Sequence, residues 1–298
     1  MDRDVMTLRQ DELEAVVDLL DVASTFDRFP LQQVLEATLE DPGVDPELLL
    51  GVRDGERLIA AAVGVTRPEL GQVKIFVVHP EHRRQGIGSA LLAELEKRLA
   101  ARGAKSVRFF ADAPHYLRPG VDFRDTPFIS FLERRSYEQR RADCNMLSDL
   151  ATARLDTAAD EARLGAAGFE IGRLSQAEAA AFEEYLLERW TPGWRTEAMR
   201  SLRRNPVSTH VARRDGRIVG FASHSVSGPG QFGPMGTNQE LRGQGVGAVL
   251  LRRCLADQRE AGFAESDIQW VGPKGFYADH VGARVSRCFW QYERPLSS

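Results

Sequence analysis

The 298-residue sequence predicts an α/β protein built from two related mixed-sheet domains in tandem. Three observations predict it. First, a glycine-rich segment is written twice, as Arg83-Arg84-Gln85-Gly86-Ile87-Gly88 and Arg242-Gly243-Gln244-Gly245-Val246-Gly247. Second, the copies sit at a fixed offset (242 − 83 = 159), and Gly103 and Gly262, which close the following helices, keep it. Third, the turn Arg53-Asp54-Gly55 returns as Arg214-Asp215-Gly216, with strand-like segments entering and leaving both copies. A period this long marks two domains rather than a solenoid, whose repeats are far shorter. The expected division is 1–150, a linker at 151–168, and 169–298.

Each half reads in the same order. Met6–Arg9 is strand-like, Asp11 caps a helix over Glu12–Val22, and a second helix, Leu31–Leu39, ends before Asp41-Pro42-Gly43. Strands near 48–52, 58–65 and 73–78 lead into the first glycine loop and a helix to about Ala101. Strand Ser106–Phe110, helix Pro127–Arg135 and strand Tyr137–Leu147 follow. The second half repeats this with strand Phe169–Leu174, Ser175 as a cap, helices Gln176–Arg189 and Glu197–Arg203, and strands near 209–213, 218–226 and 231–237. The loop helix, strand Asp267–Val271, helix Phe276–His280 and strand Arg284–Tyr292 complete it. That last strand is short for two, so a missing edge strand comes from the other domain or from a second copy of the chain, a homo-oligomer.

Composition narrows the function classes. At 43% hydrophobic residues the chain can bury two ordinary cores. A net charge of −4 gives no electrostatic reason to invoke nucleic acid. Cys144, Cys254 and Cys288 are scattered and odd in number, which suggests neither a disulfide frame nor a zinc site. The longest apolar stretch, Leu58–Val65, is too short to span a bilayer. The expectation is a cytoplasmic protein with no membrane and no metal.

Strand, glycine loop and helix start make an anion cradle. Backbone N–H groups at a helix start lack partners, the helix dipole favours negative charge, and glycine lets a ligand come close. The expected ligand is a phosphate-bearing cofactor.

The segment Val77-Val78-His79-Pro80-Glu81-His82-Arg83-Arg84-Gln85-Gly86-Ile87-Gly88 closely resembles the acetyl-CoA motif of the GNAT superfamily of N-acetyltransferases. The order β-α-α-β-β-β-α-β-α-β in each half resembles that fold, and the tandem is similar to two-domain GNAT proteins of the mycothiol synthase kind. The resemblance implies two GNAT-like domains with acetyl-CoA as acyl donor. It implies that Arg83, Arg84, Gln85, Gly86, Ile87, Gly88 and Ser89, and likewise Arg242, Gly243, Gln244, Gly245, Val246, Gly247 and Ala248, line the pyrophosphate site. Phe76, Val77 and Val78, with Met235, Gly236 and Thr237, are implied to splay from the next strand and offer backbone groups to the pantetheine arm and thioester carbonyl.

The resemblance also implies a tyrosine acid in the last short helix. Phe276-Tyr277 stands there in the second half, one residue further from its glycine than usual, whereas the first half has Leu132, which cannot donate a proton. Tyr277 is therefore the expected catalytic residue, and the C-terminal domain the favoured site of N-acylation of a small amine by direct attack. Packing of the Tyr277 ring is the competing role. The base stays open: Gln231–Thr237 holds no acid, and Glu188, His224 and His280 are candidates by segment only. Trp190 and Trp194 could hold an acceptor or pack beneath their turn, and His115–Asp122 could line a pocket or bridge to the next helix. His79 and His82 read as solvated neighbours of the loop, and Glu133-Arg134-Arg135 and Arg252-Arg253 as solvated helix faces. Two alternatives stand beside the main reading: an acyl-CoA-binding protein without turnover, and chemistry in the N-terminal half.

Overall fold

The computed structural model describes residues 4–296. The chain separates into two compact units: the residues up to Asp143 together with those from Phe289, and Cys144–Cys288. This departs from the expected division in two places. The segment expected as linker lies in the second unit, because Leu155 and Leu164 are buried in that unit's core. The final strand ends in the first unit, where Tyr292 is fully buried.

The first unit holds β1 (Met6–Thr7), α1 (Leu13–Ala23), α2 (Leu31–Thr38), β2 (Val44–Asp54), β3 (Arg57–Arg67), β4 (Leu70–Val78), α3 (Ile87–Ala101), β5 (Ser106–Phe109), β6 (Val121–Asp122) and α4 (Thr126–Glu133). Strand β7 (Glu138–Asp149) passes into the second unit. There follow α5 (Ala158–Ala166), β8 (Phe169–Arg173), α6 (Ala179–Arg189), α7 (Pro192–Met199), β9 (Thr209–Arg214), β10 (Arg217–His224), β11 (Gln231–Thr237), α8 (Val246–Glu260), β12 (Glu265–Ile268) and α9 (Lys274–Val281). Strand β13 (Arg284–Pro295) carries the chain back.

In the first unit β1 to β4 run antiparallel in sequence order, β4 and β5 pair in parallel, and the end of β13 pairs antiparallel with β5 (Glu293 opposite Arg108). The second repeats the order from β8 through β11, with β12 parallel to β11 and β7 antiparallel to β12. Each sheet is covered on both faces, which explains the near-continuous apolar run of β3. Leu50, Ile59, Ala62 and Val73 meet Leu91, Leu95 and Leu99 of α3 on one side. Leu49, Ala61, Val63 and Ile75 meet Val16, Leu20 and Val34 of α1 and α2 on the other. In the second unit α8 covers one face, and α6 and α7 cover the other, where Phe182, Leu186 and Ala198 meet Phe221 of β10.

Two local expectations change. Asp11 is not the cap of α1: it lies in a 3-10 turn, Gln10–Glu12, and its carboxylate pairs with Arg9 (3.0 Å), while Glu12 reaches back to the Arg9 N–H (2.7 Å). The helix expected over Glu197–Arg203 begins earlier, at Pro192. Proline is suited to the first helical position, and the Thr191 hydroxyl accepts from the Trp194 N–H.

Candidate active site

Both glycine loops have the same backbone path. In the first, a 3-10 turn, Pro80–His82, leads to Arg84 and Gly86 in the left-handed region (φ 64° and 83°), and α3 starts at Ile87. In the second, Gln239–Leu241 leads to Gly243 and Gly245 (φ 79° and 93°), and α8 starts at Val246. Glycine at the last left-handed position avoids the Cβ strain that any other residue meets there. Each helix runs fifteen residues, so the unpartnered N–H groups of its first turn stand at the positive end of a full dipole.

Within this cradle the expected residues do not act alike. The Arg83 guanidinium is bound to the Val78 carbonyl (Nε, 3.0 Å) and the Ala23 carbonyl (3.0 Å), and its N–H donates to Pro80. Arg83 therefore ties the loop to β4 and α1 through two of its five guanidinium N–H groups, and the other three stay available to a phosphate. The Ser89 N–H is also taken, by the Gly86 carbonyl (2.9 Å). Two further arginines, neither expected at the loops from the sequence, stand beside them. Arg135 donates to the Ser89 hydroxyl and lies 3.8 Å over the Phe131 ring, so it is not a solvated helix charge. Arg163 of α5 donates to the Gln244 carbonyl (3.1 Å) beside Gly245. Arg252 and Arg253 likewise leave the solvent role, binding Asp160 (2.9 Å) and Glu161 and so fastening α5 to α8.

Beside each loop the sheet opens. β4 and β5 pair as far as Val73 and Phe109, with the Phe110 N–H donating to Val73, and Phe76–Val78 pair only with β3. β11 and β12 pair through Phe232 and Ile268, and Met235–Thr237 pair only with β10. A register shift falls in the same place in both, at Lys74 and at Gly233, which share the offset of the glycine loops (233 − 74 = 159). The shift bends the strand away from its parallel neighbour and leaves one edge of backbone groups facing the gap.

What fills the far side of the gap differs. In the first unit the Lys74 ammonium, 1% exposed, lies between Asp41 (2.7 Å) and Asp112 and donates to the His115 carbonyl. Arg67 binds the same two carboxylates. Burial works against the charged form of Asp41, but the Arg67 hydrogen bond and the Lys74 charge overcome it and hold the carboxyl at about 2. His115 is buried, with its Nδ1 3.0 Å from the Glu36 carbonyl. The His115–Asp122 segment is thus packed inward and ends in β6, which the sequence reading missed; two-residue strands leave no periodic signal.

In the second unit Gly233 stands in place of the lysine. Trp190 and Trp194 stack (5.0 Å between ring centres) and Trp190 packs edge-on to Phe221 (5.9 Å). The Trp190 ring presses so closely on Gly236 of β11 that any side chain there would collide with it. Packing is the observed role of this pair. One turn on, Glu197 of α7 is buried, accepting a hydrogen bond from the Ser227 hydroxyl (3.3 Å) in the turn before β11. Burial pushes its carboxyl up to about 7, against the opposing charge of Arg200. Sequence reading missed Glu197; the only signal was its match to Glu36 at the upstream offset (197 − 36 = 161).

The Tyr277 ring is buried in the second core and meets Phe232, the last paired residue of β11, edge-on at 6.2 Å. Burial raises its pKa to about 12, so the hydroxyl holds its proton at neutral pH. Leu132 is fully buried among apolar side chains in the first unit. The three base candidates fall elsewhere. His224 binds Asp257 of α8 (3.2 Å) with His210 (2.8 Å) and Arg173 (2.7 Å), on the opposite face of the sheet from α7. Glu188 is exposed, and His280 stacks edge-on to Phe276 (4.8 Å). His79 is buried rather than solvated, its Nε2 2.7 Å from Arg57. Among the described residues no cluster could hold a metal ion, and no helix is long and apolar enough to cross a membrane.

A parted parallel strand pair, beside a glycine turn that starts a long helix, is the arrangement of an acyl-CoA-dependent transferase fold, and here it occurs twice. The model of the acetyltransferase (GNAT) family matches residues 13–117 and again 176–279, so the chain belongs to that family and is an acetyltransferase by class. It is 25% identical to a mycothiol acetyltransferase of Parafrankia over 92% of this chain and 91% of that one. An acetyltransferase of Photorhabdus laumondii is 28% identical across 41% of this chain and 87% of its own. Among solved structures, a tandem GNAT protein from the clavulanic acid biosynthesis pathway superposes with a TM-score of 0.72 at 17% identity, covering 100% of this chain and 99% of that chain. GNAT enzymes as a family take the acyl group from acetyl-CoA.

Proposed function

We propose that the second unit transfers an acetyl group from acetyl-CoA to a small amine, and that the first unit binds acyl-CoA or serves as its structural partner. The observation that carries this reading is the contrast across the two gaps. In the first unit the far side is filled by the Lys74, Asp41, Arg67 and Asp112 cluster, and Leu132 stands where an acid would be. In the second, a tyrosine, Tyr277, and a buried carboxylate whose proton burial retains, Glu197, lie on either side of β11.

The donor supplies an activated acyl carbon. Backbone N–H groups of Arg84, Gln85, Gly86, Ile87 and Gly88, or of Gly243 through Ala248, would hold the pyrophosphate, with Arg135 or Arg163 adding charge at the loop. Backbone groups of Met235, Gly236 and Thr237 on the edge parted from β12 would receive the pantetheine arm and polarise the carbonyl. Glu197 would attract a protonated amine and accept its proton, directly or through water. With a pKa near neutrality it can do both. Tyr277 would give its proton to the departing thiolate, so the C–N bond forms as the C–S bond breaks, without a covalent acyl-enzyme.

The test begins with calorimetric titration of ligand-stripped protein by acetyl-CoA, followed by assay of CoA release with a panel of small amines. Saturable binding with amine-dependent release supports the proposal. Saturable binding with no release across the panel favours a binding protein without turnover, and no binding by folded protein removes acetyl-CoA as the donor.

A further inference from the structure

Three cysteines far apart in sequence suggest no pairing, yet the fold brings two together. Cys144 of β7 and Cys288 of β13 lie on neighbouring strands with their sulfurs 2.9 Å apart. Neither is in a disulfide and both are part-exposed, so a small reagent can reach them. Cys254 is the internal contrast: it is wholly buried, its thiol directed at the Ala222 carbonyl (3.2 Å), and burial raises its pKa well above the usual thiol range.

The pair also occupies a particular place in the second unit. The Cys144 carbonyl accepts from the Val271 N–H (2.9 Å), and the Asn145 side chain accepts from the Trp270 N–H (3.0 Å), so this end of β7 anchors the segment entering α9. Further along β7, the Ser148 hydroxyl donates to the carbonyl of Val281, the last residue of α9 (2.7 Å). Cys288 lies on the strand that leaves α9 after the left-handed turn at Gly282. One thiol is therefore joined to the entry of the Tyr277 helix and the other to its exit.

We propose that Cys144 and Cys288 form a thiol–disulfide site that closes by exchange with a low-molecular-weight disulfide and, when closed, clamps the segment carrying Tyr277. One thiolate attacks a sulfur of the small disulfide, forming a mixed disulfide and releasing one small thiol. The second protein thiolate attacks the protein sulfur of that mixed disulfide, forming the Cys144–Cys288 bond and expelling the second small thiol. Two protein thiols are oxidised and one small disulfide is reduced to two thiols. The sulfurs start near bonding distance, on strands already hydrogen-bonded to each other, so closure needs only small backbone movement.

The experiment equilibrates the full chain with glutathione buffers of graded oxidised-to-reduced ratio, followed by acid quench, alkylation and mass analysis. The expected result is one cooperative transition with loss of about two mass units and a cross-linked 144/288 peptide, as ring closure through a mixed disulfide requires. Cys254 is alkylated only after denaturation. Cys288→Ser is expected to stop at a single glutathione adduct on Cys144. Independent alkylation of both thiols at every ratio, or adducts that never resolve to the cross-link, overturns the site. Hydrogen exchange tests the clamp: oxidation is expected to slow exchange over 269–283, and unchanged exchange there overturns that part. Any effect of oxidation on turnover rests on the proposed catalytic role of the second unit. Absence of CoA release in the reduced protein would count against that role and leave the disulfide to be judged by mass alone.

Discussion

Replacing Glu197 by glutamine is expected to stabilise the protein above neutral pH while impairing it as an enzyme. In the unfolded chain this carboxyl ionises at its ordinary 4.5; in the fold it keeps its proton to about 7, because burial disfavours the anion. Between those values the folded state binds more protons than the unfolded one, so stability falls as pH rises, from no loss below 4.5 to the full loss above 7. At about 1.4 kcal/mol per pH unit, the penalty is about 3 kcal/mol. Glutamine cannot ionise and can still accept from the Ser227 hydroxyl. The stability of Glu197→Gln relative to the native chain is thus expected to move in the variant's favour by about 3 kcal/mol between pH 5 and pH 8. Urea unfolding at both pH values, followed by tryptophan fluorescence, reads this directly, since Trp190 and Trp194 lie near the site. A relative stability unchanged to within about 0.5 kcal/mol would refute the reasoning. Turnover supplies the complementary reading: kcat/KM of the native enzyme is expected to climb with pH through about 7, and the variant to lose that limb.

Tyr277→Phe is expected to lower turnover by 10²- to 10⁴-fold, the order of a lost general acid, with acetyl-CoA affinity by calorimetry nearly unchanged; full turnover when chemistry is rate-limiting would remove it from the mechanism. Gly86→Ala and Gly245→Ala each impose a side chain on a left-handed backbone, at a cost of about 1 kcal/mol, and each is expected to abolish acetyl-CoA binding at its own loop alone. The stoichiometry of the single variants then shows which unit binds. Asp41→Asn leaves Lys74 and Arg67 sharing one carboxylate and is expected to cost about 3 kcal/mol in urea unfolding. Because the Asp41 carboxyl is held below its ordinary 3.8, at about 2, its contribution is complete above pH 4 and is lost as pH falls through about 2, and the variant should lack that acid limb.

Much of the architecture was legible because it is local and repeated. The glycine loops follow from backbone geometry that few residues permit, and β3 declares a doubly covered strand by its unbroken apolar run. The parting of β4 from β5 was foreseen from the family resemblance rather than from spacing. What was not legible depends on distant partners. Arg83 gives no sign in the sequence of its bond to Ala23, sixty positions earlier, and Arg163 reads like a linker charge until α5 is placed on the second loop. His224 is a plausible base by segment, but its ring belongs to Asp257, more than thirty positions away. Glu197 was hidden most completely: an acid in a mixed polar helix reads as exposed, and only the packing of α7 against the sheet buries it.

The division of the chain has a consequence for its biosynthesis. The second unit is a continuous stretch, Cys144–Cys288, inserted into a first unit that resumes at Phe289. On a ribosome, residues 106–108 and 121–122 emerge long before the residues of β13 that pair with them. The duplicated half that appears first must therefore wait with an open sheet edge, and the half translated second can be finished first. N-terminal domains ordinarily fold ahead of those behind them. Here that order is inverted, and pulse-labelled nascent chains halted before and after residue 289 should differ most in the protease resistance of the first half.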